Sequence, residues 1–234
     1  MLPPEGVGKG PDAVFDQKTA VVAALIHTFL GKPPRRVLVV GCGTGREAAQ
    51  LAISLHARVT GIDLHPRFDG EAATVATLQK GDATALDFPD GTFDFVYSYH
   101  ALEHIPDFRS ALREMRRVLA KGGGYCIGTP NRQRLIGYLG SRGVSWRDKL
   151  RWNLSDWRAR LRGRFRNEYG AHAGFTDTEL RSELSDALGP TESITLPYYL
   201  SLYARRQKYV RLLDRLHLSN RLFPAIYFVG KRSA

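Results

Sequence analysis

The sequence predicts an α/β fold in which helices alternate with the strands of a doubly wound parallel sheet. A short apolar run rich in β-branched residues, Val37–Val40, ends in a glycine-rich turn, and a helix-compatible stretch follows at once. A second apolar run, residues 57–62, ends at Asp63. These repeats of strand and helix imply parallel strands joined by right-handed crossovers.

The glycine-rich turn holds Gly41, Gly43 and Gly45, which let the backbone turn sharply and approach a ligand closely. The amides that begin the next helix, residues 46–56, would face that ligand. Because parallel strands end at the same edge of a sheet, Asp63 would lie beside the turn, where a carboxylate suits the two hydroxyls of a ribose. The pattern predicts a nucleoside-containing cofactor. The glycine spacing alone, G-x-G-x-G instead of G-x-G-x-x-G, is weak evidence against a nicotinamide dinucleotide.

Three further strands continue the alternation. The third includes residues 75–78 and leads to Asp82 and Ala83, an acid and a small residue suited to the edge of an adenine. The fourth strand is predicted over Phe93–Tyr99. Residues 118–132 read as the end of a helix, a glycine turn and a fifth strand.

The ends of the chain add elements to this sheet. Residues 12–30 have apolar positions at helical spacing, and Gly31 ends that helix. Thr176 and Glu179 form a predicted capping box at the start of a helix that reaches Leu188. The remaining predicted elements are a sixth strand over 192–196, a helix over 204–217 and a last strand over 225–231.

Four features occur in a fixed order along the chain: the glycine turn, Asp63, the Asp82–Ala83 pair and the segment LEHIPD at 102–107. In this order and spacing the sequence resembles the class I S-adenosylmethionine-dependent methyltransferases, in particular the broad type 11 group. The resemblance is close over residues 37–132. It implies one Rossmann-like domain, residues 1–234, with a seven-stranded sheet whose last strand is antiparallel. It also implies S-adenosyl-L-methionine as the cofactor, held by Gly41, Cys42, Gly43, Gly45, Asp63, Leu64, Asp82, Ala83 and Tyr99.

The acceptor side of the site is less defined by the sequence. No D/N-P-P-Y tetrad follows the fourth strand, which argues against amide or exocyclic base nitrogens as acceptors. His100 and His172 are the candidate general bases, and therefore the predicted catalytic residues. His100, Glu103 and His104 also suggest a metal site, but a zinc site needs a further ligand and a dry cavity, so we expect no metal and a structural role for Glu103 and His104.

A basic amphipathic insert, residues 131–176, follows the fifth strand and is predicted to form a helical lid. Between residues 131 and 166 the chain has eleven Lys or Arg and two Asp, a local charge of +9 in a chain whose net charge is +11. The apolar residues of the insert form one helical stripe, which consists of Trp146, Leu150, Leu154, Trp157, Leu161 and Phe165. Three interpretations stay open: a lid whose stripe packs on the domain, a helix that contacts an anionic membrane or a lipid-linked substrate, and a nucleic-acid contact, which no recognised RNA-binding motif supports.

The favoured function is methyl transfer to a small-molecule or lipid-like acceptor, with hydroxyl and carboxyl oxygens ranked first. The alternatives are an RNA methyltransferase that uses the basic insert, a nicotinamide oxidoreductase, and a cofactor-binding scaffold without turnover. Two cysteines, the absence of a recognisable signal peptide and the lack of a long apolar span favour a cytoplasmic protein, with peripheral membrane contact through residues 146–166. The acceptor atom and the oligomeric state stay open.

Overall fold

The computed structural model describes residues 16–138, 143–169 and 172–233 and contains a seven-stranded sheet with the order β3-β2-β1-β4-β5-β7-β6. The first five strands run parallel, and β7 lies antiparallel between β5 and β6. This topology confirms the predicted doubly wound sheet and its antiparallel last strand. The strands are β1 (Arg36–Val40), β2 (Arg58–Asp63), β3 (Thr77–Lys80), β4 (Phe93–Tyr99), β5 (Leu119–Pro130), β6 (Thr191–Ser193) and β7 (Ala225–Lys231).

Helices cover both faces of the sheet and bury one apolar layer on each. One layer joins α1, α2 and α7 to side chains such as Val39, Phe95 and Tyr227, and the other joins α4 and α6 to side chains such as Val96 and Phe228. Burial of these apolar side chains is the main driving force for the fold. The helices are α1 (Gln17–Leu30), α2 (Arg46–Leu55), α3 (Gly70–Val75), α4 (Phe108–Val118), α5 (Trp146–Leu161), α6 (Asp177–Ala187), α7 (Thr195–Leu202), α8 (Gln207–Arg215) and α9 (Ser219–Leu222).

Three strand predictions need correction at their ends. The third strand begins at Thr77, because Val75 completes α3, a short helix capped by Asp69. The fifth strand begins earlier than predicted, at Leu119 where α4 ends, so the glycine turn becomes an irregularity inside the strand: Gly122 has a φ of 71°, and the pairing with β4 shifts register between Phe93 and Phe95. The predicted sixth strand over 192–196 is shorter and earlier, since α7 already begins at Thr195.

The structure contains the helices predicted at both ends of the chain. The N-terminal helix is present from Gln17 to its end at Gly31, which adopts a left-handed conformation, and residues 12–15 of the prediction lie outside the described residues. The capping box is confirmed, because Thr176 and Glu179 exchange both side-chain-to-backbone hydrogen bonds at the start of α6. The predicted helix over 204–217 consists of a 3-10 turn at 204–206 followed by α8.

Within the described part of the insert the one α-helix is α5, and its apolar stripe packs only partly on the domain, where the Trp157 indole donates to the Leu135 carbonyl at 3.0 Å. Ser145 caps its start, and it ends at Leu161, so Phe165 lies beyond the helix and is buried separately. The stripe residues within α5 are 44–85% exposed. Residues 139–142 and 170–171 of the insert lie outside the described residues. Among the helices that the structure describes, none has the length and apolar character needed to cross a bilayer.

Candidate functional site

The glycine turn after β1 is held tightly on two sides and open in the middle. All three glycines have positive φ angles, between 55° and 84°. A Cβ atom at Gly41 would collide with Cβ of Ala101, and one at Gly45 would collide with the side chain of Leu78. A Cβ atom at Gly43 would meet no other atom within 4 Å. The turn therefore presents its backbone to free space at Gly43, as a ligand cradle requires.

Asp63 lies where the sequence predicted, beside the glycine turn at the end of β2. Its Oδ2 accepts a hydrogen bond from the Gly43 amide at 2.8 Å, and its Oδ1 accepts one from the His65 amide at 2.9 Å. The amides of Gly41 and Cys42 both donate to the carbonyl of Ile62, which joins the turn to the same strand. The carboxylate is thus fixed against the cradle, with its remaining lone pairs available to a ligand hydroxyl.

Two neighbours of this carboxylate have contrasting exposure. The Leu64 side chain is 48% exposed beside Asp63 and offers an apolar surface at the same edge. Cys42 is buried, and burial followed by the charge of Asp63 raises the pKa of its thiol to about 12. Cys42 is therefore a protonated thiol, whose contribution to the turn is its backbone.

Asp82 and Ala83 follow β3, whose carboxyl end shares the sheet edge with β2. Oδ1 of Asp82 accepts hydrogen bonds from both the amide and the hydroxyl of Thr84 at 2.8 Å, which lower the pKa of the carboxyl. Ala83 is half-buried against the apolar layer that contains Leu86. These bonds define a tight turn with an ionised acid, and the adenine contact stays a prediction.

Tyr99 and His100 occupy the carboxyl end of β4. The Tyr99 ring stacks on Tyr227 with centroids 5.2 Å apart and meets the His100 imidazole edge-on at 4.1 Å. His100 has a φ of 53°, a left-handed conformation that strains a residue with a Cβ, and its amide donates to the carbonyl of Gly128. Such strain is common at functional sites, where the surrounding structure maintains it.

Glu103 is a functional candidate that the sequence interpretation treated as structural. It lies in a 3-10 turn, Leu102–His104, and its side chain is completely buried. Its Oε1 lies 3.4 Å from Nδ1 of His100 and 3.9 Å from Nε2 of His104. Burial raises the pKa of Glu103 to about 7. The packed surroundings of His100, followed by the charge of Arg134, hold the pKa of that imidazole well below its usual value.

His172 comes to the same place from the far end of the insert. Its ring lies edge-on to the ring of His104, with centroids 4.6 Å apart. Its backbone carbonyl accepts a hydrogen bond from Arg134 at 2.8 Å, and the buried Arg134 guanidinium also binds the carbonyl of Ala173 and the carboxylate of Asp156. The structure therefore brings both predicted catalytic histidines to one cluster, in which Glu103 is the central acid.

A second buried acid, Glu47, lies behind the glycine turn in the first turn of α2. The hydroxyl of Tyr97 donates to its Oε1 at 2.6 Å. Burial raises the pKa of Glu47 to about 7, against the opposing effect of this hydrogen bond. The sequence did not predict that Glu47 differs from an ordinary acid in the first turn of a helix, because the burial of its side chain depends on contacts with Tyr97 and with α1.

Comparison with known proteins identifies the part of the chain in which most of these residues lie. Residues 38–127 match the family model described as "Methyltransferase domain". This range begins in β1 and ends in β5, so it contains the glycine turn, Asp63, Asp82, Tyr99 and the Glu103 turn. His172 and the insert lie outside it.

Two relatives show how the similarity is distributed. The chain is 35% identical over 108 residues to a sterol 24-C-methyltransferase from Gibberella zeae, which covers 42% of this chain and 28% of that protein. It is 39% identical over 107 residues to a probable tocopherol O-methyltransferase from Oryza sativa, which covers 42% of this chain and 30% of that protein. The chain therefore spans less than a third of the length of these curated relatives.

The similarity to solved structures extends over more of the chain, but at lower sequence identity. The 1,6-didemethyltoxoflavin-N1-methyltransferase from Burkholderia thailandensis aligns with a TM-score of 0.57 and 18% identity, and covers 93% of this chain and 79% of that chain. At this identity the similarity shows the fold, which extends well beyond the residues that the family model matches.

Proposed function

Because residues 38–127 belong to the methyltransferase-domain family and carry the fold of the class I S-adenosylmethionine-dependent enzymes, we propose that this protein transfers a methyl group from S-adenosylmethionine to an oxygen of a small-molecule or lipid-like acceptor. The observation that carries the proposal is the Asp63 carboxylate, bound to the Gly43 amide beside the open space over that glycine.

The residues at the sheet edge fit this cofactor. Asp63 would bind the ribose hydroxyls, the backbone of the glycine turn would lie along the nucleoside, and Asp82 with Ala83 would meet the adenine. Leu64 would give the adenine an apolar contact through its exposed side chain. The cofactor supplies a methyl group that its sulfonium makes electrophilic, so the protein has to orient the acceptor and exclude water.

The histidine cluster would face the acceptor. His100, which follows β4 and has a side chain 41% exposed, would accept a proton from an acceptor hydroxyl as a neutral imidazole. The missing D/N-P-P-Y tetrad argues against amide and exocyclic base nitrogens as acceptors and leaves oxygen as the first-ranked one. A lipid-like acceptor agrees with the names of two relatives, which act on a sterol and a tocopherol.

Calorimetry with S-adenosylhomocysteine tests the cofactor half of this proposal. We expect binding to the purified protein and none of comparable strength with NAD. Incubation of a lipid extract with the protein and isotopically labelled S-adenosylmethionine should then give labelled methyl ethers or esters by mass spectrometry. Preferential stabilisation by NAD would contradict the proposal.

The insert favours contact with an anionic membrane surface as the way to reach such an acceptor. One face of α5 binds the body of the domain through polar contacts: Asn153 accepts from the Gly137 amide at 2.7 Å, and Asp156 pairs with Arg134 at 3.3 Å. The apolar residues Trp146, Leu150, Leu154, Trp157 and Leu161 lie on an adjacent face and are exposed. Four of them, Trp146, Leu150, Leu154 and Trp157, line a groove of about 400 Å³ together with Ile136, Lys149 and Asn153.

A row of arginines flanks this apolar face. At 3.6 residues per turn, positions 147, 151, 158 and 162 share the next face of α5, and all four side chains are exposed. An apolar face beside a basic row is the pattern of a helix that lies in the interface of an anionic bilayer. The proposed location is therefore cytoplasmic, with peripheral attachment to a membrane through α5.

Sedimentation with vesicles tests this attachment. Vesicles that contain phosphatidylserine should bind the protein, and neutral phosphatidylcholine vesicles should bind it much less. Replacing the four arginines at 147, 151, 158 and 162 with Gln should reduce binding. A matched control removes four exposed basic side chains elsewhere, at Lys32, Arg35, Arg36 and Arg58, and should leave binding nearly unchanged. If both sets of substitutions weaken vesicle binding equally, net charge alone explains the binding. Binding to RNA but not to vesicles would mean that the basic row contacts nucleic acid.

A further inference from the structure

Glu103, His104 and His172 form a compact set of metal-ligating side chains. Each offers one ligand atom, and these atoms lie within 4.8 Å of one another. Two of the residues come from the turn after β4, and the third comes from the chain that returns from the insert. The set therefore exists only in the folded protein, because some seventy residues separate its two parts.

The acid at the centre of the set has no hydrogen-bond partner among the described residues. Both oxygens of Glu103 are buried, and neither accepts a hydrogen bond there. A buried carboxylate without partners is costly, by at least about 1–3 kcal/mol for each polar group left unsatisfied. A cation between Glu103 and the two imidazoles would satisfy the carboxylate directly.

The donor set indicates the class of ion. Two imidazoles and one carboxylate form the three-ligand set of catalytic zinc sites, which leave a fourth position for water or substrate. Zinc bonds of about 2.0–2.1 Å place tetrahedral ligand atoms roughly 3.3 Å apart, so closure needs side-chain movements of about 1 Å. The 3.9 Å between Oε1 of Glu103 and Nε2 of His104 is already close to this value.

The surroundings both support and oppose a cation. His100 lies 3.4 Å from Glu103, close enough to orient that carboxylate from outside the ligand set. Arg134 is a nearby positive charge, which opposes a cation. Its guanidinium is paired with Asp156 and bound to the carbonyl of His172, so it also positions a ligand.

We propose that Glu103, His104 and His172 bind a divalent ion of the zinc type, with the open fourth position available to an oxygen of the acceptor. The oxygen ligand rests on the proposed methyl transfer, whereas the ion site does not. An ion there would polarise an acceptor hydroxyl and favour its deprotonation. His172 would then be a ligand and not a base.

Binding of metal ions to the whole protein tests the site without cofactor or acceptor. Titration with Zn²⁺ in a calorimeter should show one ion per chain. His104→Ala, His172→Ala and Glu103→Gln should each weaken that binding at least tenfold, and His27→Ala, which removes an exposed histidine from α1, should not. Zn²⁺ should raise the unfolding temperature of the wild type and of His27→Ala, but not of the three site variants.

Cobalt provides the geometric readout. Co²⁺ should give the intense visible bands of a four- or five-coordinate ion, and acetohydroxamate, a small oxygen chelator, should shift them if one position is open. Equal affinity in the wild type and the site variants, or a weak octahedral spectrum, would mean an adventitious ion only and would overturn the site. Bands that acetohydroxamate does not shift would overturn the open position. A wild-type protein that binds S-adenosylhomocysteine but no metal ion would refute this inference alone, and one that binds the ion but not S-adenosylhomocysteine would refute the proposed function alone.

Discussion

Asp63→Ala tests how the sheet edge holds the cofactor. The substitution removes two hydrogen bonds to a carboxylate, from the amides of Gly43 and His65 at 2.8 and 2.9 Å, together with the predicted bonds to the ribose. Hydrogen bonds to charged groups contribute about 1.5–3 kcal/mol each when their partners are buried. In the free protein both amides can be hydrated, so stability should fall by only about 0.5–1.5 kcal/mol.

In the complex the ribose and the turn lose their common partner, so affinity for S-adenosylhomocysteine should fall by about 1–3 kcal/mol, or roughly 5- to 150-fold. Calorimetry measures this loss, and thermal unfolding without ligand measures the loss of stability. Asp87→Asn, at an exposed acid after β3, is the matched control and should change neither quantity. An affinity within twofold of the wild type would remove Asp63 from the site and refute the reasoning.

Three further perturbations separate the cradle, the buried acid and the helix cap. Gly41→Ala should lower stability by about 2–4 kcal/mol in urea unfolding, because its Cβ would collide with Ala101 at a positive φ. Gly43→Ala should lower stability by only about 1–2 kcal/mol, through backbone strain, and should act mainly on cofactor affinity. Equal losses of stability in the two variants would contradict this distinction. Glu47 has a pKa of about 7 in the folded protein against an ordinary 4.5, so the folded state keeps a proton that the unfolded state loses in between. Stability of the wild type relative to Glu47→Gln should therefore fall by about 1–3 kcal/mol as the pH rises from 4.5 to 7, and pH-independent relative stability would refute the burial of this acid. Thr176→Ala should reduce stability by about 1 kcal/mol through loss of the capping box, measured by thermal unfolding; an unchanged midpoint would mean that tertiary packing alone holds α6.

The cofactor side of the site was predictable because it depends on short-range chemistry. Gly41, Gly43 and Gly45 follow a buried strand directly, and Asp63 ends the next strand, so strand parallelism alone brings them to one edge. The capping box at Thr176 is equally local. The ends of the third and sixth strands were wrong because neighbouring helices include their residues: α3 contains Val75 and α7 contains Thr195. The start of the fifth strand was wrong for another reason, because the strand begins directly where α4 ends.

The insert shows where periodicity stops being informative. The stripe from Trp146 to Leu161 is real, but periodicity does not say which face of a helix meets the protein. That choice depends on Asn153 and Asp156, which find partners in Gly137 and Arg134 on a separate loop. Because these polar contacts hold α5 by a different face, the side chains of the apolar stripe stay 44–85% exposed and do not join the core.

The acceptor side of the site required tertiary structure for a similar reason. The residues at positions 100 and 104 lie at a strained position after β4 and in a 3-10 turn, and neither conformation can be read from the sequence spacing. The turn points Glu103 inward without a hydrogen-bond partner, and the carbonyl contacts of Arg134 bring His172 up to it. A carboxylate that folding leaves buried without a hydrogen bond, beside two imidazoles, needs a proton or a cation.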